Sequence, residues 1–272
     1  MTLRSRSLPP RRMQAGLTLV ELLVGVVIGL MTIAVALGAL LVSRGVSGSV
    51  SDASFLQQQA AHALRVIGLQ ARQAGSVRLN LAPGGVADAL SPVAFEVVFD
   101  RAQDTIGSDS DDSVRLGYQN YTEQVVGSAT PQSLLRDCLG RAVTGDVVLS
   151  AFRLRQAEGE ATGELVCEVA DGDVQAVIGN VLDFQVRYLV QERDAAGNTS
   201  IRRADADAVS DWSQVTGLDV CLELQGEERV DTAGATYRGC GWQTGAAPTP
   251  MGDRMRLVFR NSFQLRSQGA PR

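Results

Sequence analysis

The chain has 272 residues, 45% of them hydrophobic, and a formal charge of −5 at neutral pH. All 25 basic residues are arginine and there is one histidine, His62. Lysine chemistry is therefore excluded, a His-based triad or multi-histidine metal site is nearly so, and the acidic balance gives no nucleic-acid footprint.

Residues 1–15 carry Arg4, Arg6, Arg11 and Arg12 and no acid. From Leu22 to Val42 the chain then runs 21 residues without a charge. At the helical rise this spans about 32 Å, enough to cross a hydrocarbon core of about 30 Å. The leading cations predict a cytoplasmic N-terminus and an external C-terminal bulk. The apolar run is too long for an ordinary secretory signal, and the small residue, Gly16, precedes it. Cleavage after Gly16 would remove the basic leader and keep the membrane helix. One carboxylate, Glu21, stands at the rim of the span, where a charge is costly and usually needs a partner. Gly25 and Gly29 form a G-x-x-x-G and Gly38 follows; the spacing permits close helix approach but is a weak signal alone.

Residues 43–51, SRGVSGSVS, lower helix propensity and read either as a flexible stretch or as a frayed part of one long helix. Helical periodicity returns at Asp52. Leu56, Ala60, Ala63, Leu64, Ile67 and Ala71 recur at three- and four-residue steps, leaving Gln57, His62, Arg65 and Arg72 mainly outward. Gly75 is a natural stop. The two helical stretches together predict one rod, bare in its first half and pressed on a globular domain in its second.

Beyond Gly75 the period becomes two. The segments 93–99, 113–119, 147–154, 163–170, 181–190, 217–225 and 254–266 read as strands. Turns are expected at 82–85, 171–173, 195–198 and 247–250, and 132–140 reads as a short helix. Helix first and strands afterwards predicts an α+β fold with an antiparallel sheet.

Cys138, Cys167, Cys221 and Cys240 all follow the apolar span, and an even count in an exported domain reads as two disulfides. Three connectivities are open. Cys138–Cys167 and Cys221–Cys240 are favoured, because each closes a modest loop within a local group of strands. Asp100, Asp104, Asp109, Asp111 and Asp112 supply hard oxygen ligands of the kind Ca²⁺ takes. The EF-hand spacing is missing, and a solvated turn is the simpler account. Trp212, Trp242 and Tyr237 flank the second cysteine pair in sequence, as a contact surface or, in the favoured reading, as a small core. No metal, cofactor or catalytic residue is expected.

The string Gly16-Leu17-Thr18-Leu19-Val20-Glu21-Leu22-Leu23 resembles the class III signal of type IV prepilins and type II secretion pseudopilins. That resemblance implies cleavage between Gly16 and Leu17 by a prepilin peptidase, N-methylation of Leu17, and a role for Glu21 in assembly. Phe is the commonest residue at the new N-terminus, so Leu17 is a tolerated departure. After the cut, Glu21 lies four residues from the new amine, near the positive end of the helix dipole. The resemblance also implies a type IV pilin-like fold, a long N-terminal helix packed on an antiparallel sheet. It divides the chain into a leader (1–16), a transmembrane and filament-core helix (17–42), an amphipathic continuation (43–75) and a periplasmic β-rich domain (76–272).

The helix end at 65–75, the segment 107–118, the first cysteine pair and the closing strand resemble the PilW-type minor pilins of type IV pili. A minor pilin takes part in pilus assembly by protein contacts, without catalysis. Its expected partners are the prepilin peptidase, other minor pilins, the major pilin and the inner membrane, with no nucleic acid. A J-type minor pseudopilin of type II secretion shares the plan and is the alternative. A tip adhesin can coexist with the assembly role.

Overall fold

The structure, a computed structural model, describes residues 18–78, 99–100, 103–108, 110 and 112–265. The chain divides into two units, Met1–Gly48 and Ser49–Arg272. One helix, α1 (Leu19–Gln73), contributes to both. The Gly/Ser stretch 43–51 is helical throughout, which decides between the two readings its composition left open.

In the first unit α1 is apolar on every side from Leu22 to Leu41. Leu19–Leu41 has a mean hydropathy of 2.6, and none of its most apolar window is buried. A helix with no polar face cannot stand in water on propensity alone.

In the second unit α1 is amphipathic. Leu56, Ala60, Ala63, Ile67, Ala71 and Ala74 are all fully buried, and Leu64 packs at the edge of the same core. Gln57, His62, Arg65 and Arg72 are exposed, as the periodicity requires. The helix ends where expected. Gly75 adopts φ 71°, a left-handed conformation that glycine takes without a steric cost. Its N–H donates to the carbonyl of Gly117 (2.8 Å) on the sheet.

Twelve strands follow among the described residues. They are β1 (Ile106–Gly107), β2 (Ser113–Gln119), β3 (Thr122–Glu123), β4 (Gln132–Ser133), β5 (Val147–Arg155), β6 (Gly163–Val169), β7 (Val174–Arg193), β8 (Thr199–Ala204), β9 (Val215–Arg229), β10 (Thr236–Tyr237), β11 (Thr249–Pro250) and β12 (Arg254–Gln264). Eight form one antiparallel sheet in the order β1-β2-β5-β6-β7-β9-β12, with β8 paired to the end of β7. The fold class is therefore the expected α+β one, a long N-terminal helix packed on an antiparallel sheet.

Alternation decides which sheet face meets α1. Phe184, Val186, Tyr188 and Val190 of β7 and Leu218, Val220, Leu222 and Leu224 of β9 are buried, and the residues between them point the other way. The helix crosses the buried face. A Cβ on Gly68 would sit 2.6 Å from the Phe263 ring of β12, and near the helix end Gln70 reaches β2 and β5. There Gln70 Oε1 accepts from the hydroxyls of Tyr118 (3.1 Å) and Ser150 (3.1 Å), and its Nε2 donates to the Arg136 carbonyl (3.3 Å).

Two sequence expectations need correction. Residues 132–140 form no helix: Gln132–Ser133 pairs with Thr122–Glu123, and Arg136 bridges Ala142. The cause is local side-chain competition for backbone donors. Asp137 Oδ1 accepts from the N–H groups of Leu139 and Arg141 (both 2.9 Å), and Ser133 Oγ from that of Leu135 (3.2 Å). Residues 247–250 are not only a turn, because Thr249–Pro250 pairs with Thr236–Tyr237 at an edge that tolerates proline. The turns at 171–173 and 195–198 are present, with Gly172 (φ 85°) and Gly197 (φ 86°). The strand expected at 93–99, apart from Phe99, and the turn at 82–85 lie outside the described residues.

Candidate functional site

The first turn of α1 is built as a capping box. Thr18 precedes the helix, and its N–H and Oγ1 both donate to Glu21 Oε2 at 3.3 Å. In return the Glu21 N–H donates to Thr18 Oγ1 at 3.2 Å. Two backbone donors that a helix start leaves orphaned are satisfied reciprocally. Glu21 also places a negative charge at the positive end of the helix. The sequence signal for this box is T-x-x-E ahead of an apolar run (Thr18 to Glu21), a pattern that the signal-like reading of the same residues had passed over.

Gly16 and Leu17 lie outside the described residues. Downstream, Leu19, Leu22, Leu23, Ile28 and Met31 are exposed, part of a helix surface that offers only apolar contact. Added Cβ atoms at Gly25, Gly29 and Gly38 would meet nothing within 4 Å. Thr32 satisfies its own hydroxyl by donating to the Gly29 carbonyl (2.8 Å). The segment can insert in lipid or pack against other apolar helices, and its lone carboxylate sits at its N-terminal end.

The cysteines form Cys138–Cys167 and Cys221–Cys240, the two pairs favoured by loop length. The first ties the 137–141 turn to β6. The second ties the loop after β9 back onto that strand, on the sheet face away from α1.

The remaining candidates scatter. Of the acidic cluster, Asp109 and Asp111 lie outside the described residues. The Asp100 carbonyl accepts from the N–H groups of Gln103 and Asp104 in a turn, and Asp112 accepts from Ser110 Oγ. Trp212 does not join the second disulfide: it packs edge-on to Tyr188 in the main core (4.8 Å, 83°). Trp242 stays in the disulfide loop, where its Nε1 donates to the Ala246 carbonyl (2.9 Å) and Arg238 lies over its ring (4.4 Å). Tyr237 donates to Glu223 Oε1 (2.6 Å) and accepts from Arg256 Nη1 (2.8 Å). Burial, then the bond to Glu223, raises the Tyr237 phenol.

Asp183, Glu223 and Cys240 come within 4.8 Å of one another, a grouping invisible in sequence because it arises from cross-strand register. The Cys240 sulfur is held in a disulfide, so it offers no thiolate to a metal. Burial, then the neighbouring Glu223, raises the Asp183 carboxyl above its ordinary 3.8.

No protein-family model matches the chain. No curated protein matches it. Among solved structures it is similar to a type IV-like pilin from Thermus thermophilus. That likeness has 12% identity and a TM-score of 0.40, over 78% of this chain and 97% of that chain.

Proposed function

We propose that the chain is a minor pilin of the PilW type. On this reading a prepilin peptidase cuts between Gly16 and Leu17, Leu17 is N-methylated, and residues 17–42 anchor the mature subunit in the inner membrane. The N-terminus faces the cytoplasm and the domain 76–272 the periplasm. The subunit then leaves the bilayer to join other minor pilins and the major pilin, primes assembly at the tip, and acts by contact without catalysis.

One observation carries the reading. Glu21 stands in the first turn of a helix whose next twenty residues, Leu22–Leu41, carry no charge and are almost all exposed. Its carboxylate already holds the N–H of Thr18, the second residue after the expected cut. Once cleavage creates an amine at Leu17, four residues before Glu21 in the sequence, the same carboxylate is the group to pair with it, or with that of a neighbouring subunit. Such pairing removes the cost of carrying a charge into an apolar filament core.

Deletion of the gene tests the proposal through two readouts. The expected result is loss of surface pili and twitching with secretion intact. Loss of secretion with normal pili contradicts it and assigns the chain to a type II secretion pseudopilus.

A further inference from the structure

We propose that the sheet face away from α1 carries a binding site for a phosphate-type dianion. A cavity of about 470 Å³ opens there between β7, β9, β12 and the loop closed by Cys221–Cys240, both cysteines forming part of its wall. Three guanidinium groups line it, from Arg187 on β7, Arg203 on β8 and Arg260 on β12.

The register explains their meeting. Arg187 and Ser262 both stand opposite Asp219 of β9, and Arg260 stands opposite Cys221. All of these alternate with core residues and so face away from the helix.

Each arginine is oriented by a bond that uses only part of its donor fork. Arg203 Nε donates to Asp219 Oδ2 (2.6 Å), and Arg187 Nε lies 3.2 Å from Asp205 Oδ1. Arg260 Nη2 donates to the Gly239 carbonyl of the disulfide loop (2.7 Å). The one carboxylate lining the cavity, Asp219, is occupied at both oxygens, by Arg203 and by the Ser262 hydroxyl. With Arg203 paired to Asp219 and Arg187 to Asp205, the cavity keeps one net positive charge and is rich in fixed donors, in a chain of net charge −5. Guanidinium forks match oxyanions. A single fork already saturates the two oxygens of a carboxylate, whereas three forks in one cavity suit the larger oxygen set and second charge of a phosphate.

The test is calorimetric titration of the full-length chain in a non-ionic detergent with inorganic phosphate, and with acetate at matched ionic strength. Phosphate is expected to bind at least about ten-fold more tightly than acetate. Arg187→Gln and Arg260→Gln should each weaken binding about five-fold or more. Asp219→Asn should tighten it, because it removes the competing charge. Arg155→Gln, a variant at the distant ion pair with Glu164 (2.6 Å), should leave it unchanged. An unchanged thermal midpoint identifies variants that fold normally. No saturable heat, equal binding of acetate, or equal loss in Arg155→Gln overturns the proposal.

Discussion

Glu21 has one structural role at the helix start and, on the proposed function, a second after processing. In the precursor it completes the cap with Thr18, a contribution of about 1 kcal/mol to the helix start. After processing, the proposal gives it the new amine. Glu21→Ala should therefore leave membrane insertion intact, since the apolar span is untouched, and abolish incorporation into pili. Normal incorporation of that variant into sheared pili would contradict the assigned role. Glu21→Gln separates the two roles, because an amide still accepts hydrogen bonds from Thr18 but carries no charge to pair with an ammonium.

Asp183 gives a second residue-scale prediction. Its carboxyl is raised by burial and by Glu223, so the folded chain holds the Asp183 proton more tightly than the unfolded chain does. Ionised Asp183 thus costs stability above its raised value, and the cost fades as pH falls toward the ordinary 3.8. Asp183→Asn should raise the thermal midpoint at neutral pH, with the gain shrinking on acidification. A gain that is constant with pH would show that charge is not the cause.

At the scale of elements, α1 is fastened to the sheet by a buried polar cluster as well as by apolar packing. Tyr118, whose hydroxyl also donates to the Arg136 carbonyl (2.6 Å), shares Gln70 with Ser150. Ser150 Oγ in turn accepts from the N–H of Cys138 (3.1 Å). Burial, then the nearby charge of Asp137, pushes the Tyr118 phenol well above its ordinary 10.0, so it stays a donor throughout the working pH range. Tyr118→Phe should cost about 1–2 kcal/mol, read as a lowered unfolding midpoint.

Close packing at β2 is equally specific. A Cβ on Gly117 would fall 2.2 Å from the Asp104 carbonyl and 2.7 Å from Leu149 Cδ2. Gly117→Ala should cost about 2–3 kcal/mol, while Gly179→Ala, where a Cβ meets nothing within 4 Å, should be nearly silent.

These elements also mark what the sequence carries. The face of α1 from Leu56 to Ala71 and the strand at 113–119 were legible, because each carries one apolar period in sequence; the strand expected at 163–170 was legible as a short apolar run, although a register shift at Leu165/Val166 breaks its alternation. The Gly75 stop was legible because a left-handed cap favours one residue. Residues 132–140 were misread because Asp137 and Ser133 bond to nearby backbone, and periodicity does not report such bonds. The Gln70–Tyr118–Ser150 cluster, the Asp183–Glu223 pair and the arginine-lined cavity were hidden. Each depends on register between strands far apart in the chain.

On the scale of the whole molecule, the two disulfides staple two of the irregular segments in the described β domain. Cys138–Cys167 spans 29 residues and Cys221–Cys240 spans 19. Replacing the second pair by serine should cost about 3 kcal/mol by the loop-entropy argument. It should also loosen the loop that Arg260 holds, while leaving the helix-facing core intact. Near-ultraviolet and far-ultraviolet circular dichroism distinguish loop loosening from global unfolding.

The division of labour follows from composition. A span with no polar face has to be covered by lipid or by other apolar helices, whereas the second half of α1 and the sheet close one core between them. On the proposed function, movement between those two coverings requires removal of the leader and neutralisation of Glu21, the carboxylate at the rim of the span.

The most direct measurement is the intact mass and N-terminal peptide of the protein isolated from its native membrane. The proposal predicts loss of residues 1–16 and a polypeptide beginning at monomethylated Leu17. An unprocessed N-terminus, or a cut after the apolar span that sheds it, would contradict the central claim.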